Sequence, residues 1–199
     1  MAKDVGTKGV ARADREQSIL DAAVAEFGAQ GYAHVSMDRI AARAGISKPL
    51  IYNYFGTKDG LYIACAHRAG AAIVEQVAAA QRGPHRGRAV ASLQALFRVL
   101  EPRPLDWALL FDRTLPPTTD PYEAALLYRR KLAELGNAGV REALSEIGNH
   151  DDRDVSLVTQ IWFSVVSATV GWWLEHPEES AESISQRSAR ILAAVAGGT

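Results

Sequence analysis

Ser36-Met37-Asp38-Arg39-Ile40-Ala41-Ala42-Arg43-Ala44-Gly45-Ile46-Ser47-Lys48-Pro49-Leu50-Ile51-Tyr52-Asn53-Tyr54-Phe55-Gly56-Thr57-Lys58 is the stretch on which the fold turns. Ser36 is a good helix N-cap, and Asp38 in the first turn complements the helix dipole. That helix runs to Ala44, where Gly45 suits a left-handed turn residue. Ser47 caps a second helix with Pro49 in its first turn, where a missing N–H costs little, and Gly56 stops it after Phe55. Two short helices about a tight Ala44-Gly45-Ile46 turn have the layout of a helix-turn-helix. Ile40, Ala44, Ile46 and Ile51 are its expected inner core, with Ala41 small where the helices must approach. Arg39, Arg43, Lys48 and Lys58 make the segment locally positive before Asp59, which is what docking on phosphate needs.

Working outward, helical spacing continues in both directions and no stretch alternates in the strand manner. Ile19, Leu20, Ala23, Val24 and Phe27 repeat at helical spacing up to Gly28 and Gly31. A long helix is predicted from Lys58 to Gln81, broken by Gly83-Pro84. Further helices are predicted over Gly87–Leu100, Pro104–Thr114, Tyr122–Ile147, Val155–Leu174 and Ser180–Ala196. The expected fold is all-α: a three-helix helix-turn-helix head and a body of roughly six helices. The expected division is a flexible arm over 1–14, a helix-turn-helix head over 15–60, and a helical body over 61–199.

Composition bounds the alternatives. In 199 residues, 48% are hydrophobic and 23% charged, near the globular average, which excludes a disordered or low-complexity chain. Twenty-two basic and 23 acidic residues leave a net charge of −1, so nucleic-acid binding must come from a local patch. Cys65 is the only cysteine, which excludes an intrachain disulfide and fits a reducing, cytoplasmic setting. Val155–Leu174 carries no formal charge and is long enough for a bilayer. Its scattered Ser and Thr and its acidic flanks argue instead for a helix buried between its own body and a second surface, with no membrane partner.

From about Arg15 to Leu61 the chain resembles TetR-family transcriptional regulators. Gly45-Ile46-Ser47-Lys48-Pro49-Leu50-Ile51-Tyr52-Asn53-Tyr54-Phe55 with Lys58-Asp59-Gly60-Leu61 looks like that family's DNA-binding signature. The resemblance implies a homodimer placing one recognition helix per subunit in successive major grooves of a near-palindromic double-stranded operator. It puts Lys48, Pro49, Leu50 and Asn53 where bases are read, and Ser36, Ser47, Tyr52, Tyr54 and Lys58 where phosphates are held. Asn53 suits adenine and Lys48 suits guanine acceptors. Pro49 departs from the glycine or small residue also common there, which obscures the base preference.

The resemblance also implies a small apolar or aromatic effector in the body, with Phe97, Trp107, Phe111, Trp162 and Val166 as candidate pocket residues. Asp106 and Arg113 on the same predicted helix are expected at the surface. Val166, Val170, Ile184 and Ile191 are candidates for the dimer interface. The expected function is a repressor released from its operator by that effector. The alternatives are a ligand-responsive activator and a ligand-binding or scaffold protein that keeps the helix-turn-helix only as structure. No catalytic residue, cofactor or metal is expected: the five histidines are dispersed, no nucleophile sits beside a base, and His150–Asp154 lacks the glycine and closing glutamate of a calcium loop.

Overall fold

Ile19, Leu20, Ala23, Val24 and Phe27 are all buried on one side of the first helix, as their spacing requires. The computed structural model describes residues 12–82 and 87–196. Among these residues the chain is entirely helical: α1 (Arg12–Gln30), α2 (Met37–Ala44), α3 (Lys48–Phe55), α4 (Lys58–Gln81), α5 (Arg88–Leu100), α6 (Leu105–Leu110), α7 (Asp120–Glu146), α8 (Asp152–Leu174) and α9 (Ala181–Ala196). A single 3-10 turn, Tyr32–His34, joins α1 to α2. The first three α-helices form the head, and α4 runs from it into the body.

The head closes around Ile40 and Ile51, both fully buried, with Ala44 and Ile46 packed against them. Gly45 takes the left-handed conformation, φ 64° and ψ 32°, and its N–H caps α2 by donating back to the Ala41 and Ala42 carbonyls. Ser36 accepts from the Arg39 N–H, as an N-cap should. Arg39 and Arg43 turn back onto α1, where their Nε atoms lie 3.0 and 2.6 Å from the carboxylate of Glu26. Glu26 is buried, so both arginines are structural clasps between α1 and α2. Burial alone raises the pKa of Glu26, but hydrogen bonds from Arg43 and Arg39 outweigh it and hold the carboxyl below its ordinary range.

The joint between head and body is aromatic. Tyr62 of α4 is fully buried, edge-on to Phe27 at 5.0 Å and to Tyr32 at 5.4 Å, and its hydroxyl donates to the Leu109 carbonyl of α6. Farther along α4, Gly70 lies flat against the Tyr128 ring of α7, where an added Cβ would come within 2.1 Å of Cγ. That contact fixes the close approach of the two long helices. The α8 inner face packs through Val155, Thr159, Val166, Val170 and Trp173. By length and composition α8 could cross a membrane.

Three expectations change. Arg12 to Asp14 are helical and belong to α1, so the head begins inside the arm expected over 1–14; residues 1–11 lie outside the described residues. The helix expected through Thr114 ends at Leu110, because Asp112 turns inward to accept the Tyr32 and Thr114 N–H groups. Asp106 is buried, not superficial, and is held by Arg103 at 3.0 Å; burial pushes its carboxyl up against that pairing.

Replacing Glu26 with Gln should cost about 2 kcal/mol at neutral pH, since it removes a charged acceptor shared by two arginines. Because folding lowers this pKa, the contribution is complete above the ordinary value of 4.5 and is lost as pH falls through the folded-state value. Urea unfolding of both proteins between about pH 7 and pH 4 checks this: the gap between them must narrow on acidification.

Candidate nucleic-acid interface and ligand cleft

Burial of Ile51 fixes the roll of α3, and that roll turns Pro49, Tyr52 and Asn53 outward, all exposed. Lys48 and Leu50 are half-buried on the flanks. The Ser47 side chain makes no capping hydrogen bond. Lys48 donates to Asp38 of α2 at 3.0 Å, a solvated pair that raises the ammonium pKa. Tyr54 is half-buried, with the Arg12 guanidinium 5.4 Å from its ring centre. Thr57 caps α4 by accepting from Gly60 N–H at 2.9 Å. Lys58, the first residue of α4, holds its ammonium 4.4 Å from the Tyr32 ring centre, and partial burial lowers its pKa. The Tyr32 hydroxyl donates to Asp59, and burial, then that bond, push the phenol up to about 12.

The expected base-reading and phosphate residues therefore share the surface formed by α3, the start of α2 and the start of α4. Ser36, Ser47 and Tyr52 are exposed, whereas Tyr54 and Lys58 are half-buried and already in cation–π contacts. Arg12 escapes a sequence reading because only the fold brings it to Tyr54.

A second clasp secures this surface to the body. Asp112, in the turn after α6, accepts from Tyr32 N–H at 2.6 Å and from Thr114 N–H at 2.7 Å. Thr114 Oγ1 accepts from Ala33 N–H at 3.1 Å. Gly31 admits this contact: its φ is +80°, and an added Cβ would meet Thr114 Oγ1 at 2.6 Å. On the same side Gly28 packs against Leu105, the first residue of α6.

The body contains a cleft in two joined parts that share Gln81, Ser92, Gly136 and Trp162 in their walls. The inner chamber has a volume of about 40 Å³ and the outer one about 240 Å³. Trp107, Trp162 and Val166 line the inner chamber as expected positions, joined by Ser92, Leu96 and Phe163. Phe97 and Phe111 do not line it. Phe97 is fully buried edge-on to Trp173 at 5.4 Å, and Phe111 stacks behind Trp107 at 4.3 Å. Composition cannot tell a lining aromatic from one a layer deeper, which is why the sequence pooled them.

The interface candidates also separate. Val166, Val170 and Ile184 are buried within their own chain, and only Ile191 is exposed. The exposed apolar positions of α8 are Leu157, Val158, Ile161, Val165 and Trp172, on the face opposite the buried stripe. A helix apolar all round offers no sequence signal for which face turns inward. Cys65 is fully buried, and burial pushes its thiol up, as an inert core cysteine requires. Among the described residues no cluster of metal-ligating side chains occurs.

The structure is a helix-turn-helix head carried on a helical body with a cleft. Residues 19–65 match the family model described as bacterial regulatory proteins, tetR family. The HTH-type transcriptional activator FasR of Mycolicibacterium smegmatis is 35% identical over 116 residues, 57% of this chain and 52% of FasR. The HTH-type transcriptional repressor SCO4008 of Streptomyces coelicolor is 52% identical over 44 residues, 22% of this chain and 23% of that protein. The matched segments thus span about half of the first relative and under a quarter of the second. The crystal structure of a TetR-like transcriptional regulator from Rhodococcus sp. RHA1 superposes with a TM-score of 0.68 at 27% identity, covering 96% of this chain and 100% of that one. Over residues 19–65 the chain is similar to the TetR family, and its whole fold is similar to that of the TetR-like regulator.

Asp112→Ala should cost about 2 kcal/mol, because it orphans two backbone donors at once. Hydrogen exchange at Tyr32 and Thr114 should accelerate with it, while exchange at the far end of the body stays unchanged. Unaltered protection at Tyr32 would show that this clasp does not hold the head.

Proposed function

We propose that the protein is a sequence-specific DNA-binding transcriptional repressor that leaves a near-palindromic operator when a small molecule enters the body. The observation that carries this is the outward face of α3, where Pro49, Tyr52 and Asn53 are exposed beside a locally basic surface. In this reading Asn53, Lys48, Pro49 and Leu50 meet base edges or thymine methyls. Ser36, Ser47, Tyr52, Tyr54 and Lys58 hold phosphates, and the α4 N-terminus adds the positive end of its dipole. The head serves DNA and the body serves the effector and the partner subunit, in the cytoplasm and with no enzymatic role.

The homodimer forms through the outer faces of α8 and α9, giving a four-helix bundle. Support comes from the exposed apolar row on α8 and from a groove of about 320 Å³ between α8 and α9, lined by Val165, Trp172, Ile191 and Leu192 among others. A row of that kind on a single chain marks an interaction surface. The effector occupies the cleft, whose Trp107 wall stands on α6 and whose Val77 and Gln81 wall stands on α4. Both helices reach the head, so an effector that prefers one arrangement shifts the spacing of the two recognition helices. A hundredfold preference corresponds to about 2.7 kcal/mol. Activation instead of repression is the second reading, favoured by the activator name of the FasR relative; a reporter driven by the operator decides between them by the sign of its response.

Binding to a duplex selected by the protein from a random library should fall steeply with salt. Lys58→Ala should weaken it on all sequences and reduce the log–log salt slope by about 1. Asn53→Ala should cost about 1–3 kcal/mol on the selected site and little on unrelated DNA. Asp38→Asn, which releases Lys48, should tighten binding by roughly threefold at low salt. Equal, weak binding of selected and unrelated duplexes would favour the scaffold instead.

Ile161→Glu and Val165→Glu place a charge on the outer face without touching the chain's own core, and sedimentation velocity should show both variants as folded monomers. A dimer that survives both would rule out this face as the interface.

A further inference from the structure

Two residues that line the inner chamber of the cleft, Trp107 and Ser92, each carry a buried polar side-chain atom with no hydrogen-bond partner, Nε1 and Oγ respectively. Trp107 is 5% exposed and Ser92 8%, so solvent does not serve either group. An indole N–H is a donor only, and a serine hydroxyl can donate as well. Two unserved donors in one apolar chamber are unusual, since buried polar groups in native proteins are nearly always satisfied. Apart from the Gln81 amide, which can itself donate or accept, the rest of the lining is apolar, with Val77, Leu93, Leu96, Leu132, Phe163 and Val166 among it. Among the described residues no charged side chain lines this inner chamber. Arg88 and Glu146 line only the outer one.

We propose that the chamber takes the uncharged hydrogen-bond acceptor of a compact apolar molecule: the carbonyl of a ketone, ester, amide or lactone, accepting from Trp107 Nε1 and Ser92 Oγ. This names the ligand class for the effector cleft and rests on that reading of the body. Charge decides between carbonyl and carboxylate. An anion placed there loses its hydration and meets no cation, whereas a neutral carbonyl needs only the two donors. A plain hydrocarbon fills the apolar walls and leaves both donors unserved. The ligand's apolar remainder extends into the outer chamber, between Ala89 of α5 and Gly139, Val140 and Ala143 of α7. Gly139 is a built-in access point. A Cβ added there meets only Gln81 Nε2, at 3.9 Å, so a larger side chain fits the fold and fills the outer chamber.

Calorimetric titration of the full chain without DNA tests the assignment, with acetophenone and 2-heptanone as carbonyl probes and ethylbenzene and benzoate as matched hydrocarbon and carboxylate. Either ketone should bind about tenfold more tightly than ethylbenzene or benzoate, the factor expected for one net hydrogen bond. Ser92→Ala and Trp107→Phe should each remove most of that advantage and leave ethylbenzene binding unchanged. Ser92→Ala should melt no lower than the parent protein, because it deletes an unserved polar group; Trp107→Phe also removes buried ring volume and should melt somewhat lower. Gly139→Leu should abolish ketone binding with an unchanged or raised melting temperature. The assignment is overturned if benzoate binds best, if ethylbenzene equals the ketones, or if neither ketone binds at about 5 mM. None of these outcomes touches DNA binding, which is measured separately; a ketone that binds without releasing DNA overturns effector release and leaves the carbonyl site standing.

Discussion

Tyr62 is the side chain through which the two halves of the molecule are joined. Its ring stands edge-on to Phe27 of α1 and to Tyr32 of the 3-10 turn, while its hydroxyl is held by the Leu109 carbonyl of α6. Four elements meet on one residue of α4. Aromatic edge contacts are directional, and a buried phenol must have its acceptor, so the position of α6 is set relative to the head by a bond with little tolerance. The Asp112 clasp and the Leu105–Gly28 contact lie on the same side and reinforce that constraint. The cleft lies on the other side of α6, with Trp107 in its wall. A change in the cleft that moves α6 therefore works directly against contacts that orient the head.

The electrostatics of the head follow a division of labour among its cations. Arg39 and Arg43 are committed to buried Glu26 and hold α2 on α1. Lys48, Lys58 and Arg12 sit in weak, partly solvated contacts with Asp38, Tyr32 and Tyr54. Surface pairs and cation–π contacts of this kind are too weak to withhold a cation from phosphate but keep a long side chain in place. A chain of net charge −1 can in this way present a positive surface without a large excess of basic residues.

The head was almost wholly legible because its signals are local. A cap at Ser36, a left-handed glycine at 45 and an apolar triplet of Ile40, Ile46 and Ile51 leave one arrangement open, and the helix ends fall within a residue or so of expectation. The body was legible as a set of helices but not as a set of faces. In α8 apolar residues surround the axis, so Val166 and Val170 read like Ile161 and Val165 although the first pair is buried and the second exposed. Likewise Phe97 and Phe111 read like Trp107. Ser92, an ordinary helical serine by sequence, gains its interest only from burial without a partner. The early end of α6 was hidden because its cause, a hydrogen bond donated by the Tyr32 N–H to Asp112, spans 80 residues.

Hydroxyl-radical footprinting of the full chain on its selected duplex tests the central claim most directly, because it reads the geometry of two heads on one DNA. The account predicts two related protected patches on one face, separated by about one helical turn, roughly 34–36 Å. A single unpaired patch, or uniform protection without that repeat, would contradict a dimer that sets one α3 into each of two successive major grooves.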